Sequence, residues 1–98
     1  MGSMRVKVRK TGNVCKVKML IKHQMISYQK ANQIKAKPNF VTSVIAKVGG
    51  EVVYKLNSSQ FISSNPYFVF KFYAISGELL EITWIDLLGN SDTKYKII

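Results

Sequence analysis

The chain has 98 residues, 47% of them hydrophobic and 20% charged, which is the composition of one small globular domain and not of a disordered segment. Its longest apolar runs, such as Phe68-Val69-Phe70, fall far short of the roughly 20 residues that a membrane-spanning helix needs. Fifteen Lys and Arg against five Asp and Glu give a net charge of +10, which favours an acidic or anionic partner.

Residues 1–4, Met-Gly-Ser-Met, resemble a cloning remnant before a natural start at Met4, so we predict a single domain over residues 5–98. No charged-then-apolar leader follows, and we therefore expect no export signal on this chain. A single cysteine, Cys15, excludes an internal disulfide.

Alternating apolar and polar residues predict short strands in the first half of the chain. The first covers Arg5–Arg9 and the second Cys15–His23, with a turn at residues 11–13 between them. Residues 24–39 carry weak periodicity and predict a long connection with a short helical turn over Lys30–Ile34. In the second strand one face is apolar, and it consists of Cys15, Val17, Met19 and Ile21.

The second half continues the pattern. Two strands meet at a Gly49-Gly50 hairpin turn. The remaining predicted segments, in order, are Phe40–Val48, Glu51–Leu56, Gln60–Ile62, Tyr67–Tyr73, Leu79–Asp86 and Ser91–Ile98. We assign Phe68, Phe70, Phe72 and Trp84 to the core. Short strands with frequent turn signals predict an all-β, immunoglobulin-like sandwich of about seven antiparallel strands, with a small closed barrel as the alternative.

The inventory for catalysis is small, with one His and one Cys. On a continuous strand Cys15 and His23 would stand roughly 26 Å apart at about 3.3 Å per residue, whereas a nucleophile and its base need about 3 Å. We therefore predict a binding module and no enzyme, with no cofactor and no metal. Cys15 is expected to be a small buried hydrophobe, and His23 to make a structural or a partner contact.

Three residues have positions that predict structural roles. Pro66 biases Asn65 away from the helical region and so sets the entry angle of the aromatic strand. Trp84 supplies core area, with its N–H seeking an acceptor. Asp86 can accept backbone N–H groups from the turn around Gly89.

The charge is uneven, and it leaves two interpretations open. Residues 1–50 hold eleven basic residues and no acidic one, whereas residues 51–98 hold four basic and five acidic residues, which gives +11 and −1. The lysines either form a binding surface or merely solvate strand faces. An alternative function is a stacking platform for single-stranded nucleic acid, although the aromatics lie mostly after Tyr54 and only two cations are Arg.

Five motifs in order resemble the SoxZ family over nearly the whole chain. They are Leu20-Ile21-Lys22-His23-Gln24-Met25, Pro38-Asn39-Phe40-Val41, Gly50-Glu51-Val52-Val53, the block from Ser63 through Asn65-Pro66 to Phe72, and Trp84-Ile85-Asp86 with Gly89. Gln24 stands where the family has Pro, and the positive charge exceeds that expected for the family.

The resemblance implies an immunoglobulin-like, non-catalytic subunit that pairs with SoxY in the periplasm and is co-exported with it. SoxY carries sulfur intermediates on a cysteine for the thiosulfate-oxidising enzymes, which would contact this complex transiently. Four residues are the candidates for the partner interface: His23, Met25, Asn65 and Pro66. Unpaired strand edges also allow the isolated chain to form a homodimer.

Overall fold

Seven antiparallel strands and one short helix make up the computed structural model, which describes residues 3–57, 65–74 and 77–98. The elements are β1 (Met4–Thr11), β2 (Val14–Ile21), α1 (Tyr28–Ile34), β3 (Val41–Val48), β4 (Glu51–Asn57), β5 (Tyr67–Tyr73), β6 (Leu79–Asp86) and β7 (Ser91–Ile97). The predicted segment Gln60–Ile62 lies outside the described residues. Within them, no helix is long and apolar enough to cross a membrane.

The strands form two sheets that face each other, so the predicted sandwich is confirmed over the barrel. One sheet has the order β1-β2-β5 and the other the order β4-β3-β6-β7. The β3–β4 hairpin turns at Gly49 and Gly50, whose φ angles of 58° and 84° suit the left-handed turn that a two-residue hairpin needs. Among the described residues all strand pairings are antiparallel, and the pairs of consecutive strands, β1–β2, β3–β4 and β6–β7, are of the kind that short turns can join.

The core lies between the two sheets because each strand sends alternate side chains inward. The predicted apolar face of β2 is confirmed, since all four of its residues are fully buried. Phe70 and Phe72 are buried as predicted, and Phe68 packs against the core from its margin. Tyr54 of β4 stacks on Phe70 of β5, with ring centroids 4.2 Å apart, and so closes the core between the sheets.

Ser3 and Met4, which lie before the predicted domain start at Arg5, make contacts with the rest of the fold. Met4 opens β1 and is buried in the core. The carbonyl of Ser3 accepts a hydrogen bond from the backbone N–H of Lys22 at 2.6 Å, and its hydroxyl accepts one from the indole N–H of Trp84 at 3.1 Å. Ser3 and Met4 are therefore part of the fold.

The connection between β2 and β3 contains a longer helix than the predicted turn. Helix α1 starts after Ser27, whose hydroxyl accepts the backbone N–H of Lys30 at 3.1 Å as an N-cap. It ends at Lys35, which adopts a left-handed conformation with φ 54°. Only Ala31 of this helix is buried, so capping at both ends, more than core packing, defines its length.

Candidate functional site

Asp86 is the centre of a hydrogen-bonded cluster at one end of the sandwich. Asp86 is the last residue of β6, and it is only 4% exposed although its side chain is charged. Oδ1 accepts the backbone N–H groups of Leu88 and Asn90 at 3.1 and 2.8 Å. Oδ2 accepts the side-chain amides of Asn39 and Asn90 at 3.0 and 3.1 Å and faces Nε2 of His23 at 2.9 Å. The predicted acceptor role toward the Gly89 turn is confirmed.

These contacts settle the ionisation of Asp86. Burial by itself raises the pKa of the carboxyl group, because it removes water from the charged form. The hydrogen bonds from His23, Asn90 and Asn39 outweigh burial and hold the pKa of Asp86 below its usual range. A carboxylate with this many donors is stabilised as an anion and is poorly suited to act as a general base.

Both ring nitrogens of His23 are occupied, and its side chain is 7% exposed. Nδ1 accepts the backbone N–H of Met25 at 3.0 Å, so the proton of the neutral ring lies on Nε2, which donates to Asp86. The ring also packs edge-on against Trp84, with centroids 5.4 Å apart and planes at 87°. The structure therefore gives His23 the structural contact that was one of its two predicted roles.

The backbone of His23 is paired with Asn65. The N–H of His23 donates to Oδ1 of Asn65 at 3.0 Å, and the N–H of Asn65 donates back to the carbonyl of His23 at 2.8 Å. Asn65 has a φ of 51°, a left-handed conformation that asparagine tolerates better than most residues. The carbonyl of the next residue, Pro66, accepts the N–H of Ile21 at 3.0 Å, which fastens the entry of β5 to the end of β2.

Met25 has the most unusual backbone in this region. Its φ of 53° is costly for a long side chain, by about 1–3 kcal/mol. Its N–H is bound by His23, and its Sδ accepts the backbone N–H of Val41 at 3.2 Å. The buried side chain thus joins the start of β3 to the loop after β2.

The motif residues that looked separate in the sequence therefore meet in space. We call the group the Asp86 cluster, and it consists of His23, Met25, Asn39, Asn65, Asp86 and Asn90. Sequence reasoning missed Asn39 and Asn90, because amides are common in loops. The signal that was available is their position beside Pro38 and Gly89, where side-chain amides often satisfy backbone groups.

The four partner-interface candidates differ in exposure. Met25 and Pro66 are buried and the ring of His23 is nearly so, whereas Asn65 is exposed. In this conformation only Asn65 of the four is exposed enough to contact a partner, while the other three hold the backbone around it. Their contact with a partner stays a prediction.

Cys15, His23 and Asp86 are the residues that the sequence offered for catalytic or metal chemistry. Cys15 is fully buried in β2, as predicted for a small core hydrophobe. Across residues 3–57, 65–74 and 77–98, no group of three His, Cys, Asp or Glu side chains could hold a metal ion. Asp86 and His23 already use their polar atoms within the cluster.

The outer faces of the two sheets differ in charge. The cationic face is the outer surface of the three-stranded sheet and carries Arg5, Lys7, Arg9, Lys16, Lys18 and Lys71. The mixed face is the outer surface of the four-stranded sheet, where Tyr95, Ile97 and Leu79 are 56%, 68% and 47% exposed. Among the described residues the charges on the mixed face are two cations, Lys47 and Lys55, and one carboxylate, Glu81, which give a net charge of +1.

A family model described as "Sulphur oxidation protein SoxZ" matches residues 4–96, which is nearly the whole chain. No curated protein sequence matches the chain. The family match confirms the resemblance that the five motifs indicated. It gives no support to the alternative of a nucleic-acid-binding domain.

Proposed function

Because this chain belongs to the SoxZ family, we propose that it is the non-catalytic subunit that pairs with SoxY in a sulfur-carrier complex. Its membership makes it a SoxZ-type subunit of sulfur oxidation. The proposal adds a 1:1 heterodimer, located in the periplasm, in which SoxY carries the covalent sulfur intermediates. The chain would scaffold SoxY and present it to the thiosulfate-oxidising enzymes.

The observation that carries this proposal is the exposed apolar group on the mixed face. Leu79 lies directly opposite Ile97 across the β6–β7 pair, and Tyr95 is the next outward residue of β7. Exposed apolar side chains grouped on one surface are typical of protein–protein interfaces. The small number of charged residues on the same face keeps the desolvation penalty of a permanent interface low. We therefore assign SoxY to this face.

The polar chemistry of the chain supports a scaffold over an enzyme. A sulfur carrier needs an accessible thiolate, because the thiolate is the nucleophile of cysteine chemistry. Cys15 is fully buried, so the covalent sulfur would be carried by the partner. The imidazole of His23 and the carboxylate of Asp86 already bind one another.

The proposal is tested by coexpressing the chain with a SoxY protein of the same organism and measuring the mass of the product by light scattering. We expect a 1:1 complex. Ile97→Glu should weaken it by about tenfold or more, because a charge would be buried without a partner. The matched control is Val69→Glu, which adds the same charge at an exposed position of the other sheet's edge strand β5.

Two outcomes would contradict the proposal in different ways. If both proteins are folded and no complex forms, pairing with SoxY is wrong. If Val69→Glu abolishes the complex while Ile97→Glu leaves it intact, pairing is right and the assigned face is wrong.

A further inference from the structure

Strand pairing gathers cations from three strands onto one surface. Lys7 faces Lys18 and Arg9 faces Lys16 across the β1–β2 pair. Lys16 also faces Lys71 across the β2–β5 pair. The same register places Arg5 at the end of the row, and no carboxylate shares this face among the described residues.

Such an arrangement opposes folding, since like charges directly across a strand pair repel. A strand face can be solvated without placing like charges opposite each other. On the mixed face the facing residues have opposite charges, since Lys47 lies opposite Glu81. Within the described residues the one salt bridge is that of His23 with Asp86, on a different part of the molecule. The repulsion on the cationic face is therefore left for a bound anion to relieve.

We propose that the cationic face is a second docking surface, separate from the mixed face, for a partner protein whose own surface is rich in carboxylates. Charge complementarity selects an anionic partner. This inference goes beyond the pairing with SoxY and does not depend on it.

The apolar residues among the cations favour a protein over a nucleic acid. Leu20 faces Tyr67, and Lys18 faces Val69, so an apolar strip runs beside the lysines. Aliphatic side chains contribute little to a phosphate backbone, whereas apolar contacts within a charged rim are the usual anatomy of a protein interface. Two shallow depressions of about 390 and 310 Å³ lie on this face and share Lys7 and Lys18 in their linings. They offer acidic side chains places to enter between the cations.

The size of the face predicts a transient encounter. Eight residues at about 3.3 Å and three strands at about 4.8 Å give a surface of roughly 26 by 14 Å. A standard stable interface buries about 800 Å² on each partner, which is more than such a flat patch supplies. Binding should therefore be weak, fast and strongly dependent on salt.

The test uses the folded chain and two acidic polypeptides, poly-L-glutamate and the copolymer poly(Glu,Tyr), as fluorescent probes at low salt. We expect poly(Glu,Tyr) to bind more tightly than poly-L-glutamate at equal charge, because tyrosine adds contacts with the apolar strip. Lys18→Glu should weaken both by about tenfold or more, since it reverses the charge at the centre of the face. Lys37→Glu, an equal change of net charge at an exposed position after α1, is the matched control and should have little effect.

Loss of the fold cannot explain the expected result. In Lys18→Glu the new carboxylate faces Lys7, so the melting temperature should not fall below that of the wild type. A thymidine oligonucleotide and phosphatidylglycerol vesicles serve as competing probes. Tighter binding of either than of poly(Glu,Tyr), or equal losses in Lys18→Glu and Lys37→Glu, would overturn the proposal.

Discussion

The Asp86 cluster and the cationic face use charge in opposite ways. In the cluster a single buried carboxylate is enclosed by donors from the connection between β2 and β3 and from the turn after β6. On the cationic face many exposed charges of one sign stand side by side without carboxylates among the described residues. The first arrangement stabilises the end of the sandwich, whereas the second lowers the stability of the three-stranded sheet.

This difference separates architecture from recognition in the same small domain. A buried charge is tolerated when every lone pair is used, and breaking such a set is expensive. Exposed charges contribute little to stability one at a time, but together they create a field that selects partners. We therefore expect mutations in the two regions to affect different measurements.

The largest effect should follow Asp86→Ala. The substitution leaves the nearly buried imidazole of His23 and the half-buried amide of Asn39 without their acceptor, and we expect a loss of about 1–3 kcal/mol in the free energy of unfolding. Urea denaturation measures it. Glu51→Ala, which removes an exposed carboxylate at the start of β4, is the control and should change stability by less than about 0.5 kcal/mol. A loss below about 1 kcal/mol in Asp86→Ala would show that the cluster is not the anchor described.

Acid should reproduce part of this loss. Because the pKa of Asp86 in the folded chain is lower than in the unfolded chain, its contribution is fully present above about pH 4 and disappears as the pH falls through the folded value. Asp92 behaves in the same direction, since a hydrogen bond from the Ser3 hydroxyl lowers its pKa. The loss should be smaller than in Asp86→Ala, because a protonated carboxyl keeps its volume and can still accept hydrogen bonds.

Melting temperatures measured from pH 6 down to pH 2 check this. The wild type should lose stability below about pH 4, and the slope should be shallower in Asp86→Ala, where only Asp92 and the exposed acids still titrate. Identical slopes for the two proteins would contradict the low pKa of Asp86.

The smallest effect should have the opposite sign. Lys18→Glu replaces a repulsive cross-strand pair with an attractive one, and a gain of about 0.2–1 kcal/mol is expected. Chemical denaturation at low salt measures the gain, which should shrink as salt screens the pair. A destabilised variant would mean that the cations of this face are already balanced by other groups.

Much of the fold could be predicted from alternation alone, because inward residues of β2, β5 and β6 recur at every second position. Local position also indicated the roles of Trp84 and Asp86. The meeting of His23 with Asp86 could not be predicted, since it depends on how two different sheets end at the same place. The start of α1 was missed because Ser27 is followed three residues later by Lys30, and a capping box has Glu or Gln there.

The cationic face shows the same limit of sequence reasoning. Alternation placed the lysines of β2 on the outer side, but the division into halves counted Lys71 with the acidic half of the chain. The β2–β5 pairing moves Lys71 beside Lys16 and leaves the acidic residues elsewhere. The set of cations on this face is therefore determined by the order of the strands in the sheet and not by their position along the chain.

The most direct test of the division into two docking faces compares two affinities for poly(Glu,Tyr). One is that of the isolated chain, and the other is that of the chain already bound to SoxY as a heterodimer. If SoxY occupies the mixed face, the two affinities should agree within about twofold, as expected for separate sites. A heterodimer that contains Lys18→Glu should lose the probe in the same proportion as the isolated variant. Loss of probe binding when SoxY is bound, or displacement of SoxY by the probe, would contradict the division.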